Sequence, residues 1–236
     1  MSFLNYKEGF RPTKVYPENE TIYIPVEKYR NIFSDHPGQI NTTTKLGSFI
    51  HKLASDEREP RIWFEIGTWN GLGTTTCILD GFQERGTGDC KLYSLEADPL
   101  FFEIADKNLE THPMREALHL TYAKSGDGLF LQPEEIEEKE TDHFKMYYEY
   151  EKTFWERAPC FTYPEHPEVA ILDGGEYTGY LDWVNLPKDS LQWIVLDDIH
   201  CIKNKAVYQE ISSMTEWNCV TVNTKERNGF AIFRKN

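Results

Sequence analysis

The pattern of apolar and polar positions changes near residue 42. Up to residue 41, Pro12, Pro17, Pro25 and Pro37 interrupt largely polar sequence, which predicts an irregular arm with at most a short helix. Thr42 to Ser55, "TTTKLGSFIHKLAS", then places Leu46, Phe49, Ile50 and Leu53 at helical spacing and predicts a one-sided helix. Beyond it, short apolar runs recur at "RIWFEIG" (61–67), "KLYSLEA" (91–97), "LHLTYA" (118–123), "EVAILDG" (168–174) and "QWIVLDD" (192–198), and these predict buried parallel strands. Helical patterns at 73–84, 99–110, 176–185 and 203–214 fall between or after them. Strands alternating with helices predict an α/β fold on a doubly wound, mostly parallel sheet. Two β-rich runs, "NCVTVNT" and "NGFAIFRK", separated by "KER", predict a closing antiparallel hairpin. No linker-like tract divides the chain, so one domain is expected over 1–236.

One stretch breaks this rhythm. Residues 129–168, dense in Glu and in Tyr, Phe and Trp, are inserted between the third and fourth strands. Two readings apply: a solvated acidic helix with one aromatic face on the sheet, or a lid that shapes an acceptor pocket near the strand ends.

Composition narrows the chemistry. The formal net charge of −14 would repel a phosphate backbone, so no nucleic-acid partner is expected. The five cysteines, Cys77, Cys90, Cys160, Cys201 and Cys219, are odd in number and lack CxxC spacing, which suits reduced thiols. No apolar run approaches the ~18 residues of a membrane span, and a cytoplasmic location is expected.

Chemistry first gathers after the first parallel strand. "EIGTWNGLGTTT" runs from Glu65 through Gly67, Gly71 and Gly73 into a helix, giving a tight turn, close backbone approach and unpaired helix N–H groups for a nucleotide-like ligand. Glu96, 23 residues beyond Gly73 at the end of the next strand, is placed to accept hydrogen bonds from both ribose hydroxyls. The spacing is not the G-x-G-x-x-G of dinucleotide enzymes.

E-x-G-x-x-x-G-x-G followed by a strand-terminal acid resembles the S-adenosylmethionine site of Rossmann-like (class I) methyltransferases, over roughly residues 45–236. The resemblance implies that family's seven-stranded sheet with one antiparallel strand, and S-adenosyl-L-methionine as cofactor. It places Glu65, Gly67, Thr68, Trp69, Asn70 and Gly71 along the methionine part, with Thr74 also among the cofactor-binding residues. Glu96 and Ala97 would meet the ribose, and Ser125, Gly126 and Asp127 of "KSGDG" would lie near the adenine. Read structurally instead, Gly73 serves helix packing and Asp127 caps a helix.

A second constellation lies on two strand ends. The fourth strand ends at Asp173 and the fifth at Asp197 and Asp198, so three carboxylates converge beside the glycine loop. Like charges so close require a cation. An all-oxygen set suits Mg²⁺ or Mn²⁺, while pairing with Lys203 or Lys205, or capping of the following helix, is the alternative. D-G…D-D-x-H resembles metal-dependent sugar O-methyltransferases of the macrolide-sugar type and, more distantly, the catechol type. The wording "LDGGEYTGYLDW…VLDDIHCIKNKAVYQEI" is also similar to methyltransferases inferred beside glycosyltransferases in polysaccharide clusters and large DNA viruses. That resemblance implies Asp173, Asp197 and Asp198 as metal ligands, with Asp173 also touching cofactor.

Where many sugar enzymes carry a His three residues after the first Asp, this chain has Glu176. Glu176 and His200 are therefore the two candidates for general base, with Asp173 as a third catalytic group. Tyr177, Tyr180 and Trp183 form either an aromatic wall for a sugar face or core packing. The expected function is O-methylation of a sugar hydroxyl on a glycan or glycoconjugate, in a protein that is either a monomer or a homo-oligomer. A catechol-type or other small-molecule O-methyltransferase is the alternative, and a non-catalytic nucleotide-binding module is the alternative from another class. A nicotinamide-dependent sugar enzyme lacks its Tyr-x-x-x-Lys pair here.

Overall fold

The computed structural model describes residues 11–15, 21–24, 38–56, 58, 60–86, 88–128, 130–131 and 142–236. The arm and the insert predicted over 1–41 and 129–168 lie partly outside these residues. Within the arm, β1 (Arg11–Val15) and β2 (Thr21–Ile24) pair as an antiparallel ribbon. The expectation of an irregular arm is corrected there: Pro12 lies within a two-stranded ribbon, in which each strand is an edge strand of the kind that tolerates proline.

The main body begins with α1 (Lys45–Ser55), whose N-cap Thr44 accepts from the Gly47 N–H. It continues through β3 (Ile62–Ile66), α2 (Thr74–Arg85), β4 (Lys91–Glu96), α3 (Pro99–Leu109), β5 (Leu118–Tyr122), α4 (Asp142–Arg157), β6 (Val169–Leu172), α5 (Gly179–Asn185), β7 (Trp193–Asp197), α6 (Ile202–Ser213), β8 (Trp217–Asn223) and β9 (Phe230–Lys235). The seven strands order as β5-β4-β3-β6-β7-β9-β8, parallel except where β9 runs antiparallel to both β7 and β8. The predicted hairpin therefore inserts its second strand into the sheet and leaves β8 at the edge.

Continuous apolar strands follow from helices covering both faces. Val169 and Ile171 of β6, with Trp63 and Val195, join the core under α1 and α2. Their neighbours Ala170 and Leu172, with Ile194 and Leu196, join the opposite core under Trp183 of α5 and Val207 of α6. Strand order reverses between β3 and β6, and the crevice at that switch point opens above the carboxyl ends of β3, β4 and β6.

Candidate functional site

A cavity of about 500 Å³ occupies this crevice, within the range of small-molecule sites. Its floor is the glycine loop. Gly67 has φ +98°, and a Cβ there would lie 2.1 Å from the Asp173 carbonyl oxygen, so the loops after β3 and β6 cross at a point where only glycine fits. Gly67, Thr68, Trp69 and Thr74 line the cavity; Asn70 and Gly71 lie outside its lining, with Asn70 Oδ1 accepting from the Leu72 N–H at 3.0 Å.

Glu65 is also absent from the lining. Its side chain is fully buried beneath the loop, where Oε2 accepts from Ser94 and, at 2.8 Å, from Thr75, while Oε1 has no hydrogen-bond partner among the described residues. Burial pushes its pKa up to about 7, against the lowering by these hydroxyls. The expected contact of Glu65 with a ligand becomes support of the loop from below.

Glu96 reaches the cavity from the end of β4. Its Oε2 accepts from the Trp69 N–H at 2.7 Å and Oε1 from the Asp98 N–H at 2.8 Å, fixing the carboxylate plane. Burial pushes it up to about 8, with the nearby Asp98 adding to the shift. Ala97 and Ser125 also line the cavity, and Ser125 donates to Asp182 Oδ1 at 2.6 Å. Gly126 and Asp127 do not line it; Asp127 is exposed, with Cys160 and Lys124 beside it.

The roof comes from the insert, whose residues 129 and 132–141 lie outside the described part. Tyr150, Glu151, Phe154 and Trp155 of α4 all line the cavity. The Tyr150 hydroxyl donates to Asp98 Oδ2 at 2.7 Å. Glu151 accepts from the N–H groups of Glu176 and Tyr177 at 2.7 and 2.8 Å. A Cβ at Gly175 would lie 2.3 Å from Glu151 Oε1, so glycine there lets the carboxylate close over the loop after β6. Burial pushes Glu151 up to about 8. None of these four residues was legible as a site residue in sequence, because only tertiary packing turns this face of α4 inward.

Asp173, Asp197 and Asp198 do converge, each offering an oxygen within 4.8 Å of the others. Their counter-charges are organic. Lys203 Nζ lies 2.9 Å from Asp173 Oδ1 and 2.8 Å from Asp198 Oδ2, while Arg227 lies 2.9 Å from Asp197 Oδ2. Burial works against the charge of Lys203, but the two carboxylates hold its pKa above the ordinary lysine value. Burial alone would raise Asp198, yet Lys203 and Arg227 bring it below the usual carboxylate range. Burial and the neighbouring Asp173 and Asp198 push Asp197 up. The donor set is chemically suited to Mg²⁺ or Mn²⁺, but an ion bridging Asp173 Oδ1 and Asp198 Oδ2 would have to share the space of the ammonium. As arranged, the cluster fits an ammonium.

Of the two candidate bases, Glu176 lines the cavity and His200 does not. His200 is exposed, its N–H bonded to the Asn228 carbonyl and its ring against Gly229, because the left-handed turn at Asp198 (φ 52°) directs the chain away. The expectation of His200 as base is corrected on that ground. Nor do Tyr177, Tyr180 and Trp183 form a wall: Tyr177 and Trp183 are buried in core clusters and Tyr180 is exposed beside Glu210.

Among the described residues, the non-glycine residues with positive φ are Trp69, Asp198 and Arg227, and all three line this cavity. Left-handed backbone costs an L-residue about 1–2 kcal/mol, and strain concentrated at one crevice marks a functional site. Seven carboxylates face it against three cations, Lys124, Lys203 and Arg227. Even with Glu96 and Glu151 held largely protonated at pH 7 by burial, the five other acids outnumber the three cations, so such a cavity disfavours a dinucleotide pyrophosphate and favours a cationic ligand.

No protein-family model matches the sequence, and no curated protein does. Solved structures match the fold. An O-methyltransferase from Bacillus cereus, in complex with S-adenosylhomocysteine, is 16% identical, with 89% of this chain and 90% of that chain covered and a TM-score of 0.55. TomG from Streptomyces achromogenes, an O-methyltransferase of tomaymycin synthesis in complex with S-adenosylmethionine, is 15% identical over 89% and 87% of the two chains, with a TM-score of 0.55. The S-adenosylhomocysteine-bound methyltransferase PaMTH1 from Podospora anserina is 12% identical over 89% and 86%, with a TM-score of 0.56. The fold is thus the Rossmann-like methyltransferase fold. Among the described residues no helix is long and apolar enough to cross a membrane.

Proposed function

We propose that the chain is an S-adenosylmethionine-dependent O-methyltransferase acting on a sugar hydroxyl of a glycan or glycoconjugate. The observation that carries this reading is Glu96, buried at the end of β4, clamped by two backbone N–H groups and facing a crevice with an excess of carboxylates. Its oxygens suit the two ribose hydroxyls, and the surrounding negative charge suits the sulfonium and the methionine ammonium. Gly67, Thr68, Trp69 and Thr74 take the methionine part on this reading, with Ala97 and Ser125 toward the nucleoside.

The acceptor half favours a polyhydroxylated ligand. Asp173, Glu176, Lys203, Arg227 and Asn228 all line it, and a sugar can exchange hydrogen bonds with each, whereas a flat aromatic acceptor would leave most of them unpaired. Binding holds the hydroxyl in line with the sulfonium methyl. The oxygen lone pair forms the new C–O bond as the S–CH₃ bond breaks, and that bond's pair stays on sulfur to give S-adenosylhomocysteine. The hydroxyl proton passes to a carboxylate, with Glu176 the candidate and Asp173 the second. α4 serves as a lid, shielding the transfer from water.

The sequence resemblance also implies Mg²⁺ or Mn²⁺ on Asp173, Asp197 and Asp198. Because Lys203 fills that position, no step is assigned to a metal. The cofactor reading is tested by calorimetric titration with S-adenosylhomocysteine. Micromolar binding supports it; no binding returns the glycine loop to another nucleotide.

A further inference from the structure

We infer that Lys203 is the resident cation of the acid cluster, so that the chain orients its acceptor hydroxyl with an ammonium instead of a divalent metal. The inference rests on the proposed acceptor site and adds the identity of its positive charge.

The placement is built, not incidental. Lys203 is the second residue of α6, where the helix dipole disfavours a cation, so the two carboxylates must more than offset that position. Its backbone is fixed by its neighbour: fully buried Asn204 donates from Nδ2 to the Leu172 carbonyl at 2.9 Å and the Asp197 carbonyl at 2.8 Å. That clamp locks the start of α6 between the ends of β6 and β7. The Lys203 side chain is 11% exposed, so its ammonium is not a mobile surface charge that drifted into the cluster.

The remaining groups complete the same design. Asp198 adopts left-handed backbone to aim Oδ2 at Lys203, and its Oδ1 accepts from Asn228 at 3.1 Å. Arg227, also left-handed, supplies the charge opposite Asp197. Among the described residues, Lys203 spends two of its three donors on Asp173 and Asp198. The third can meet an acceptor oxygen in the cavity that Lys203 lines. An ammonium there stabilises developing negative charge on the hydroxyl, as a Lewis acid would, through a hydrogen bond.

Mn²⁺ binding, followed by the loss of free-ion paramagnetic resonance, tests this without an acceptor. Wild-type protein should bind Mn²⁺ no tighter than about 1 mM, while Lys203→Met should gain at least about 100-fold as three carboxylates lose their ammonium. S-adenosylhomocysteine binding, measured on both proteins, reports that each is folded and tests the cofactor reading separately. Micromolar Mn²⁺ binding by wild type that Asp197→Asn removes would overturn the inference, whatever the variant's folding. So would a Lys203→Met protein that binds S-adenosylhomocysteine but gains no Mn²⁺ affinity. With a sugar acceptor, turnover should survive chelator in wild type and fall about 100-fold in Lys203→Met, the usual share of one preorganised donor; chelator-abolished turnover would equally overturn it.

Discussion

Replacing Glu96 with Gln probes the cofactor half most sharply. Burial raises the Glu96 pKa from 4.5 to about 8, so at pH 7 the ligand-free carboxylate is about one-tenth ionised. If ribose hydroxyls bind the ionised form, each pH unit below 8 costs about 1.4 kcal/mol, or roughly tenfold in affinity. S-adenosylhomocysteine should therefore bind more tightly as pH rises from 6 to 8 and level off above. Glu96→Gln removes the titration and keeps one acceptor oxygen. It also turns an amide toward the N–H of either Trp69 or Asp98, both of which now donate to the carboxylate. Loss of one charge-assisted hydrogen bond is worth about 1.5–3 kcal/mol, or roughly 10- to 150-fold weaker binding at pH 8. Calorimetry across pH 6–8 on both proteins checks slope and magnitude, and adenosine repeats it without the amino-acid group. An unchanged slope in Glu96→Gln would assign the titration elsewhere, with Glu151 the first suspect, and refute the reasoning.

Three further outcomes follow from the same crevice. Glu151→Ala removes the acceptor of two N–H groups in the loop after β6, so amide exchange at Glu176 and Tyr177 should accelerate and stability fall by about 1–3 kcal/mol; unchanged exchange would mean that α4 does not hold this loop. Burial raises Glu65 to about 7, Glu96 and Glu151 to about 8, and Asp98 and Asp182 to about 6. The folded state thus holds more protons than the unfolded between pH 4.5 and 8, and the midpoint of ligand-free thermal unfolding should fall as pH rises through that window; a rising midpoint would contradict the shifts. Gly67→Ala drives a methyl into the Asp173 carbonyl 2.1 Å away in left-handed backbone, and should cost about 2 kcal/mol or more of stability and weaken S-adenosylhomocysteine binding together.

Much of the fold was legible because its strands are short apolar runs between helical patterns, and β6 and β7 are bounded by the very acids that mark the crevice. The position of Glu96 at the crevice was legible because a strand-terminal acid after a glycine loop has a fixed place in this topology. Glu65 was not read correctly, since spacing cannot tell an acid that faces a ligand from one that braces the loop through Ser94 and Thr75. His200 misled for a local reason: positive φ at Asp198 reverses the chain two residues earlier, and nothing in "DDIH" announces that turn. Lys203 was readable only as one of two candidate partners, because the Asn204 clamp that selects it joins two strand ends distant in sequence.

Five of the seven carboxylates of the crevice divide by how they are neutralised; Glu176, and Glu151, which is buried over the loop after β6 and held by two backbone N–H groups, stand outside the division. Glu96, Asp98 and Asp182 form no ion pair with a described side chain, answer only to N–H and O–H donors, and are all shifted upward by burial. Asp173 and Asp198 instead share the ammonium of Lys203, and Asp198 is shifted downward. Buried acids without cations are a standing cost that a cationic ligand relieves, whereas buried acids already paired gain little from another cation. The side of the cavity at Glu96, Asp98 and Asp182 is therefore prepared for a positively charged visitor, and the side at Asp173 and Asp198 carries its own positive charge. That order suits the proposed sulfonium donor and hydroxyl acceptor, and Asp173, whose carbonyl crosses Gly67 while its carboxylate holds Lys203, is where the two sides meet.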